Sequence, residues 1–227
     1  MGLKHSLLVV FDMDGVLTGY SSSWEYVHKS IGVDNSENVA LFNKGSINYE
    51  QFIERDVSLW IRKMGKVPVS MIKEILSGIP LRPDLVESIR RLKEDGHRVA
   101  IVSGGLSLLA EEIDRMEKFH YVFANSILSD KNGFVMPSGI MNVNYKRKDT
   151  NIAYMQGLLG VGKRDTVSVG DSMDDASMFS VSGYSIAYNP NRKGLSELAS
   201  ATVVSGKLMP VVDLIEKYAS SMELPDK

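Results

Sequence analysis

Apolar and polar positions along this chain fall into blocks of two kinds. Residues 7–11, Leu-Leu-Val-Val-Phe, make a short apolar run rich in branched side chains, the pattern of a strand buried on both faces. Much later Pro83 opens a helical pattern, with Leu85, Val86, Ile89 and Leu92 on one face and Gly96 beyond its end. Residues 99–102 repeat the strand pattern and stop at Ser103-Gly104-Gly105. Residues 106–116 repeat the helix pattern, with Leu109, Ile113 and Met116 on one face. A third strand is expected at 121–123. A helix follows at 151–159, with Ile152, Met155 and Leu159 on one side, and a fourth strand at 166–169, ended by Gly170-Asp171. Shorter pieces continue at 185–187, 195–199, 202–204 and 211–218. Strands alternating with helices predict crossover units and a parallel sheet covered on both faces. Such crossovers are right-handed almost without exception.

Two segments break this rhythm. Between Thr18 and Pro80 there is no strand pattern, only helical ones. The strongest begins at Asn48, with Gln51 three residues on, a capping-box signature. Tyr49, Phe52, Ile53, Trp60 and Met64 then recur at helical spacing. Trp24, Tyr49, Phe52 and Trp60 read as the apolar interior of this insert, with one or two left to line a pocket. The second break is 126–143, where Asp130-Lys131-Asn132-Gly133 between apolar residues signals a hairpin turn. The expected fold class is therefore α/β: a doubly wound, Rossmann-like core over 1–18 and 80–227, with a hairpin at about 126–143. A small helical cap domain, 19–79, is inserted in it.

Composition narrows the chemistry. The length, 227 residues, suits about one and a half domains at roughly 150 residues each. Zero cysteine removes disulfides, thiolate zinc sites and a cysteine nucleophile. A net charge of −2 argues against a wide basic face for nucleic acid. The N-terminal apolar run is too short for an export signal. No stretch approaches the roughly 20 apolar residues of a membrane span. A cytoplasmic protein with neither nucleic-acid nor membrane partner is expected, and nothing in the pattern assigns an oligomeric state. Residues 157–163 almost match a nucleotide P-loop, but Arg164 stands where Ser or Thr is needed. They also end a helix rather than open one, and read as a helix stop.

In an open parallel sheet, ligands bind beyond the carboxyl ends of the strands. Asp12-Met13-Asp14-Gly15 follows the first strand, Ser103-Gly104-Gly105 the second, and Gly170-Asp171 with Asp174-Asp175 the fourth. Lys148 opens the helix that leads into the fourth strand. Carboxylates gathered at one edge repel one another unless a cation sits among them. Two or three Asp oxygens with open water positions suit Mg²⁺. Ser103 and its glycine neighbours form an anion-binding concavity, and a lysine adds the positive point charge a phosphate needs. These are the parts of phosphoryl transfer, in which an Asp carboxylate can serve as nucleophile. Asp174 reads as a helix N-terminal charge.

Asp12-Met13-Asp14-Gly15-Val16, Ser103, Lys148 and Gly170-Asp171-Ser172-Met173-Asp174-Asp175 together resemble the four ordered motifs of the haloacid dehalogenase superfamily. The helical insert and the stretch from Leu81 onward are most similar to its phosphoserine phosphatase group. The resemblance implies a Mg²⁺-dependent phosphatase acting on a small phosphorylated metabolite through an aspartyl-phosphate. By the same resemblance Asp12 is the nucleophile. Asp14 is the acid and base, with a pKa above that of a free Asp. Mg²⁺ is held by Asp12, the backbone carbonyl of Asp14 and Asp171, with Asp175 in support. The phosphoryl oxygens lie on Ser103, the amide of Gly104 and Lys148. The alternatives are a phosphomutase on the same site and a non-catalytic metabolite-binding protein on this fold. The sequence departs from the phosphoserine phosphatase pattern in three places. Gly15-Val16 replaces Ser-Thr. Ser21 and Asp56 fall where the group places the Glu and Arg that read the amino acid. An aspartate at the carboxylate-reading position predicts that phosphoserine is not the preferred substrate.

Overall fold

The structure is a computed structural model and describes residues 5–222. Seven strands form one sheet in the order β4-β3-β2-β1-β5-β6-β7. They are β1 (Leu8–Phe11), β2 (Arg98–Leu106), β3 (Tyr121–Ser129), β4 (Val135–Ile140), β5 (Thr166–Gly170), β6 (Tyr184–Tyr188) and β7 (Ala201–Val203). All neighbouring pairs are parallel except β3 with β4. The sheet is thus an α/β doubly wound core. From β1 the chain steps outward to β2 and β3, then returns to β5 on the other side of β1. The strand order reverses there, and this switch point lies between the ends that carry Asp12 and Asp171.

Alternation along the buried strands sends successive side chains to opposite faces. Leu7, Val9 and Phe11 join Ile101 and Val167 in a cluster with Ile89, Leu92, Ile113 and Ile215, which come from α5 (Leu85–Glu94), α6 (Ser107–Met116) and α10 (Met209–Ser221). Leu8, Val10, Ala100 and Val102 join a second cluster with Ile152, Met155, Met178 and Leu195. Those come from α7 (Asp149–Leu159), α8 (Ala176–Ser180) and α9 (Lys193–Leu198). A strand covered on both faces has no polar alternation, which is why β1 reads as an unbroken apolar run.

The insert folds as α1 (Ser23–Ile31), α2 (Ser36–Asn43), α3 (Tyr49–Met64) and α4 (Val69–Ser77). The capping box of Asn48 and Gln51 starts α3, each side chain accepting from the other's backbone N–H. Val27, Ile53, Val57, Trp60, Ile72 and Leu76 are buried and continue the first core cluster, so one apolar body runs from the sheet into the insert. The turn after β3 forms at Asp130, whose Oδ1 accepts from the amides of Asn132 and Phe134, and Gly133 takes φ +80°. The hairpin leans on the insert: the amide of Val135 donates to the carbonyl of Val67 at 2.8 Å.

Three details differ from the sequence expectation. The second strand does not stop at Ser103; the extended backbone of β2 runs through the glycines to Leu106. Met116 and Met64 do not face the core. Each ends its helix, where the chain turns away and leaves the side chain 49% and 45% exposed.

Candidate active site

The strand ends converge on a cavity of about 450 Å³ between the sheet edge and the insert. Asp12, Asp14, Ser103, Gly104, Lys148 and Asp171 all line it, and Asp175 lies directly behind, fully buried. Every residue singled out at the strand ends is therefore brought to one place. The turn after β1 makes this possible. Asp12 ends the strand, and the chain coils through Met13–Leu17 with Gly15 at φ +77°. A Cβ at Gly15 would collide with the carboxylate of Asp171, so only glycine allows the two strand ends to meet.

Lys148 organises the acids. Its Nζ lies 3.0 Å from Oδ1 of Asp12 and 2.7 Å from Oδ1 of Asp175. The other oxygen of Asp175, Oδ2, accepts from the amides of Asp171 and Ser172 at 2.9 and 3.1 Å. Both oxygens of Asp175 are thus engaged in holding Lys148 and the loop after β5. Asp12 Oδ1 also accepts from the amide of Met13 at 2.8 Å. Among the described residues its Oδ2 accepts no hydrogen bond. Asp14 differs again. Its Oδ2 accepts from both the amide and the hydroxyl of Ser23, at 2.9 and 2.8 Å, while Oδ1 is buried without a partner.

These surroundings set the proton affinities. Burial raises Asp12 to about 7; Lys148 opposes this, and Asp175 and Asp14 add to it. Burial raises Asp171 to about 8, reinforced by the charges of Asp12 and Asp175. Burial also raises Asp14, against the two hydrogen bonds from Ser23. Burial alone would lower Lys148, but Asp12 and Asp175 outweigh it and hold the ammonium charged. Four carboxylates thus face one ammonium. A divalent cation, together with a proton on Asp14, would bring the cluster to neutrality.

The donor set suits such a cation. Asp12, Asp171 and Asp175 each offer an oxygen within 4.8 Å of the other two, and all three are buried. Oxygen-only donors select a hard divalent ion. Because Asp175 is already saturated by Lys148 and two amides, Asp12 and Asp171 are the carboxylates left to hold it.

Other contributors carry no local sequence signal. Ser23 in the insert holds Asp14 and accepts from the amide of Leu106. Arg82 donates to the carbonyls of Gly15 and Val16 at 2.7 and 3.0 Å and fixes the turn after β1. The buried Asn125 ties Tyr49 of α3, the carbonyl of Gly104 and the backbone of residues 142 and 143 into one network. Trp24 Nε1 donates to the same Gly104 carbonyl at 3.1 Å. Burial pushes the Tyr49 phenol up to about 12, so it stays a donor. The contacts of Ser23 with Leu106, of Arg82 with Gly15 and of Tyr49 with Gly104 join positions 83, 67 and 55 residues apart, beyond any motif spacing.

Asp56, which spacing places at the carboxylate-reading position, does line the cavity, but from within a network. Its Oδ2 accepts from His28 Nε2 at 3.0 Å and Asn35 Nδ2 at 2.9 Å, and Oδ1 from Asn38 Nδ2 at 2.7 Å. Ser21 also borders the cavity. Asp174 is exposed at the cavity rim, in the short turn Met173–Asp175.

A family model described as haloacid dehalogenase-like hydrolase matches residues 7–183. A phosphoserine phosphatase of Methanocaldococcus jannaschii is 28% identical over 192 residues, covering 82% of this chain and 86% of its own length. One from Archaeoglobus fulgidus is 25% identical over 94% of this chain, which spans 61% of it. A solved substrate-bound phosphoserine phosphatase complex superposes with a TM-score of 0.76 at 25% identity, covering 93% of this chain and 99% of that one. No helix among the described residues is long and apolar enough to cross a membrane. With its motifs gathered at one switch point and the family model matching residues 7–183, the chain belongs to the haloacid dehalogenase-like hydrolase family, as a phosphoric monoester hydrolase similar to phosphoserine phosphatases.

Proposed function

We propose that the chain hydrolyses a small phosphomonoester metabolite in two in-line steps, with Asp12 as nucleophile and Mg²⁺ as the resident ion. The observation that carries this reading is the division of labour between two aspartates two residues apart. Lys148 and the Met13 amide hold Oδ1 of Asp12, which leaves Oδ2 to attack phosphorus. Asp14 keeps one oxygen on Ser23 and one without a partner. Burial raises its pKa, so Asp14 holds a proton on that free oxygen more readily than a free Asp and can give it to the departing alkoxide. The same oxygen then takes a proton from the water that hydrolyses the aspartyl-phosphate. Asp12, the backbone carbonyl of Asp14 and Asp171 would hold the Mg²⁺. Bound there, the ion neutralises phosphoryl and carboxylate charge. Ser103 Oγ, the Gly104 amide and Lys148 provide the donors for the phosphoryl oxygens as charge redistributes. The insert covers this edge as the cap and keeps bulk water from the intermediate.

The test is phosphate release from p-nitrophenyl phosphate with and without Mg²⁺. Mg²⁺-dependent turnover by the wild type and none by Asp12→Asn is expected. Equal, slow release by both proteins would falsify the reading.

A further inference from the structure

With the phosphoryl group at the strand ends, the alcohol part of a substrate must occupy the insert side of the cavity. Its walls therefore report what that alcohol is; this step rests on the hydrolase reading above. A volume of about 450 Å³ lies in the range of small-molecule sites. Trp24, Phe42, Tyr49, Phe52 and Tyr145 line it. The last four form a ring cluster, with centroids 5.1 Å apart for Phe42 and Phe52 and 6.1 Å for Tyr49 and Phe52. Trp24 is braced by Trp60, stacked at 5.6 Å. Aromatic faces carry negative quadrupole charge; they accept apolar bodies and cations and disfavour anions.

The charges point the same way. Among the described residues lining the cavity, Lys148 is the one cation, and it lies at the sheet edge against Asp12 and Asp175, away from the insert side. On the insert side the carboxylates of the wall are Glu25 and Asp56. The cations near the wall already have partners. Lys29 pairs with Glu25 at 2.9 Å, Arg55 donates to Asn38 at 2.9 Å, and Lys146 lies over the rings of Phe42 and Tyr145.

The charge of Asp56 is also uncancelled. Trp60 Nε1 donates to His28 Nδ1 at 2.7 Å, and an indole can only donate. His28 Nδ1 is therefore bare, its proton sits on Nε2, and the imidazole facing Asp56 is neutral. Three neutral donors hold Asp56 as an anion at the wall.

We infer that the substrate is a phosphate ester of a neutral or cationic alcohol with an apolar or aromatic body, and that Asp56 and Glu25 discriminate against a carboxylate on that alcohol. A carboxylate placed there would lose its water and face Asp56, while Lys29 is already held by Glu25.

Two matched pairs test this: O-phosphoethanolamine against O-phosphoserine, and phenyl phosphate against 3-carboxyphenyl phosphate. Each pair differs by one carboxylate. With Mg²⁺ and wild-type protein, the carboxylate-bearing member is expected to show kcat/KM at least about tenfold lower in both pairs, about 1.4 kcal/mol. Calorimetric binding of the same compounds to Asp12→Asn should follow the same order, which separates recognition from chemistry. Glu25→Gln, at an exposed position, frees Lys29 and should narrow the gap. Asp56→Asn should narrow it further where the variant folds. Equal or better use of the carboxylate-bearing member in both pairs, with p-nitrophenyl phosphate hydrolysed, overturns this inference alone. Failure to hydrolyse p-nitrophenyl phosphate as well overturns the hydrolase reading and this inference with it.

Discussion

Two buried carboxylate sites border one cavity and are built on opposite terms. At the sheet edge, Asp12, Asp171 and Asp175 crowd together around a single ammonium, and burial with like charge lifts Asp12 to about 7 and Asp171 to about 8. In the insert, Asp56 is equally buried, yet His28, Asn35 and Asn38 satisfy it. The difference lies in the donors. A buried acid given enough neutral N–H groups is a structural anchor that holds α1, α2 and α3 together. Buried acids given too few are left with unmet demand for a proton or a cation. The chemistry proposed above rests on the acids whose local bonding is incomplete.

Substitutions at the two sites should separate these roles. Largest is Asp12→Asn, expected to lower kcat for p-nitrophenyl phosphate by roughly 10⁴-fold or more. Asp56→Asn should change kcat for the same small ester by less than about tenfold, on a scale of about 1.4 kcal/mol per decade; steady-state kinetics distinguishes the two. Next is Lys148→Met, which leaves Asp12 and Asp175 opposed in a buried place. A loss of about 3–5 kcal/mol is expected by urea unfolding. Asp56→Asn turns an amide toward groups that donate, and should cost about 1–3 kcal/mol in the same assay.

The smallest expected effect concerns protons and metal. Free Asp titrates near 4, whereas Asp12 and Asp171 hold their protons to about 7 and 8 in the folded, metal-free protein. The folded state binds more protons over that window, so metal-free stability should fall as pH rises from about 4 to about 8. Mg²⁺ competes with those protons, and its gain in Tm should grow between about pH 6 and 8. Asp171→Asn should remove that gain and raise metal-free stability at pH 8 by about 1 kcal/mol or more. Thermal unfolding with Mg²⁺ or chelator reads both.

The sheet side of the site was legible because its signals are local. Asp12 and Ser103 directly follow an apolar run and Asp171 follows a short strand pattern ended by Gly170, and position in a parallel sheet converts that adjacency into convergence. Asn48 with Gln51 likewise announced α3 through contacts three residues apart. What the sequence concealed depends on contacts across the fold. Ser23 reaches Asp14 from the insert, Arg82 reaches back to Gly15, and Asn125 joins Tyr49 to Gly104. A serine, an arginine and an asparagine at such separations have no period to betray them. The role of Asp56 was half legible: spacing put it at the cavity wall, but only the tautomer of His28 reveals that its charge goes uncancelled. Met64 and Met116 fit their helical stripes and still face outward, since periodicity cannot say where a helix overhangs its support.

The most direct test of Asp12 as nucleophile is to trap the intermediate. Wild-type protein and the Asp12→Asn and Asp14→Asn variants would be mixed with ³²P-labelled substrate and Mg²⁺, quenched in acid and digested. Label on the peptide containing Asp12, released by hydroxylamine as an acyl phosphate is, should appear in the wild type, persist longer in Asp14→Asn and be absent from Asp12→Asn. Label that resists hydroxylamine, or that lies on another peptide or survives in Asp12→Asn, would contradict the assignment.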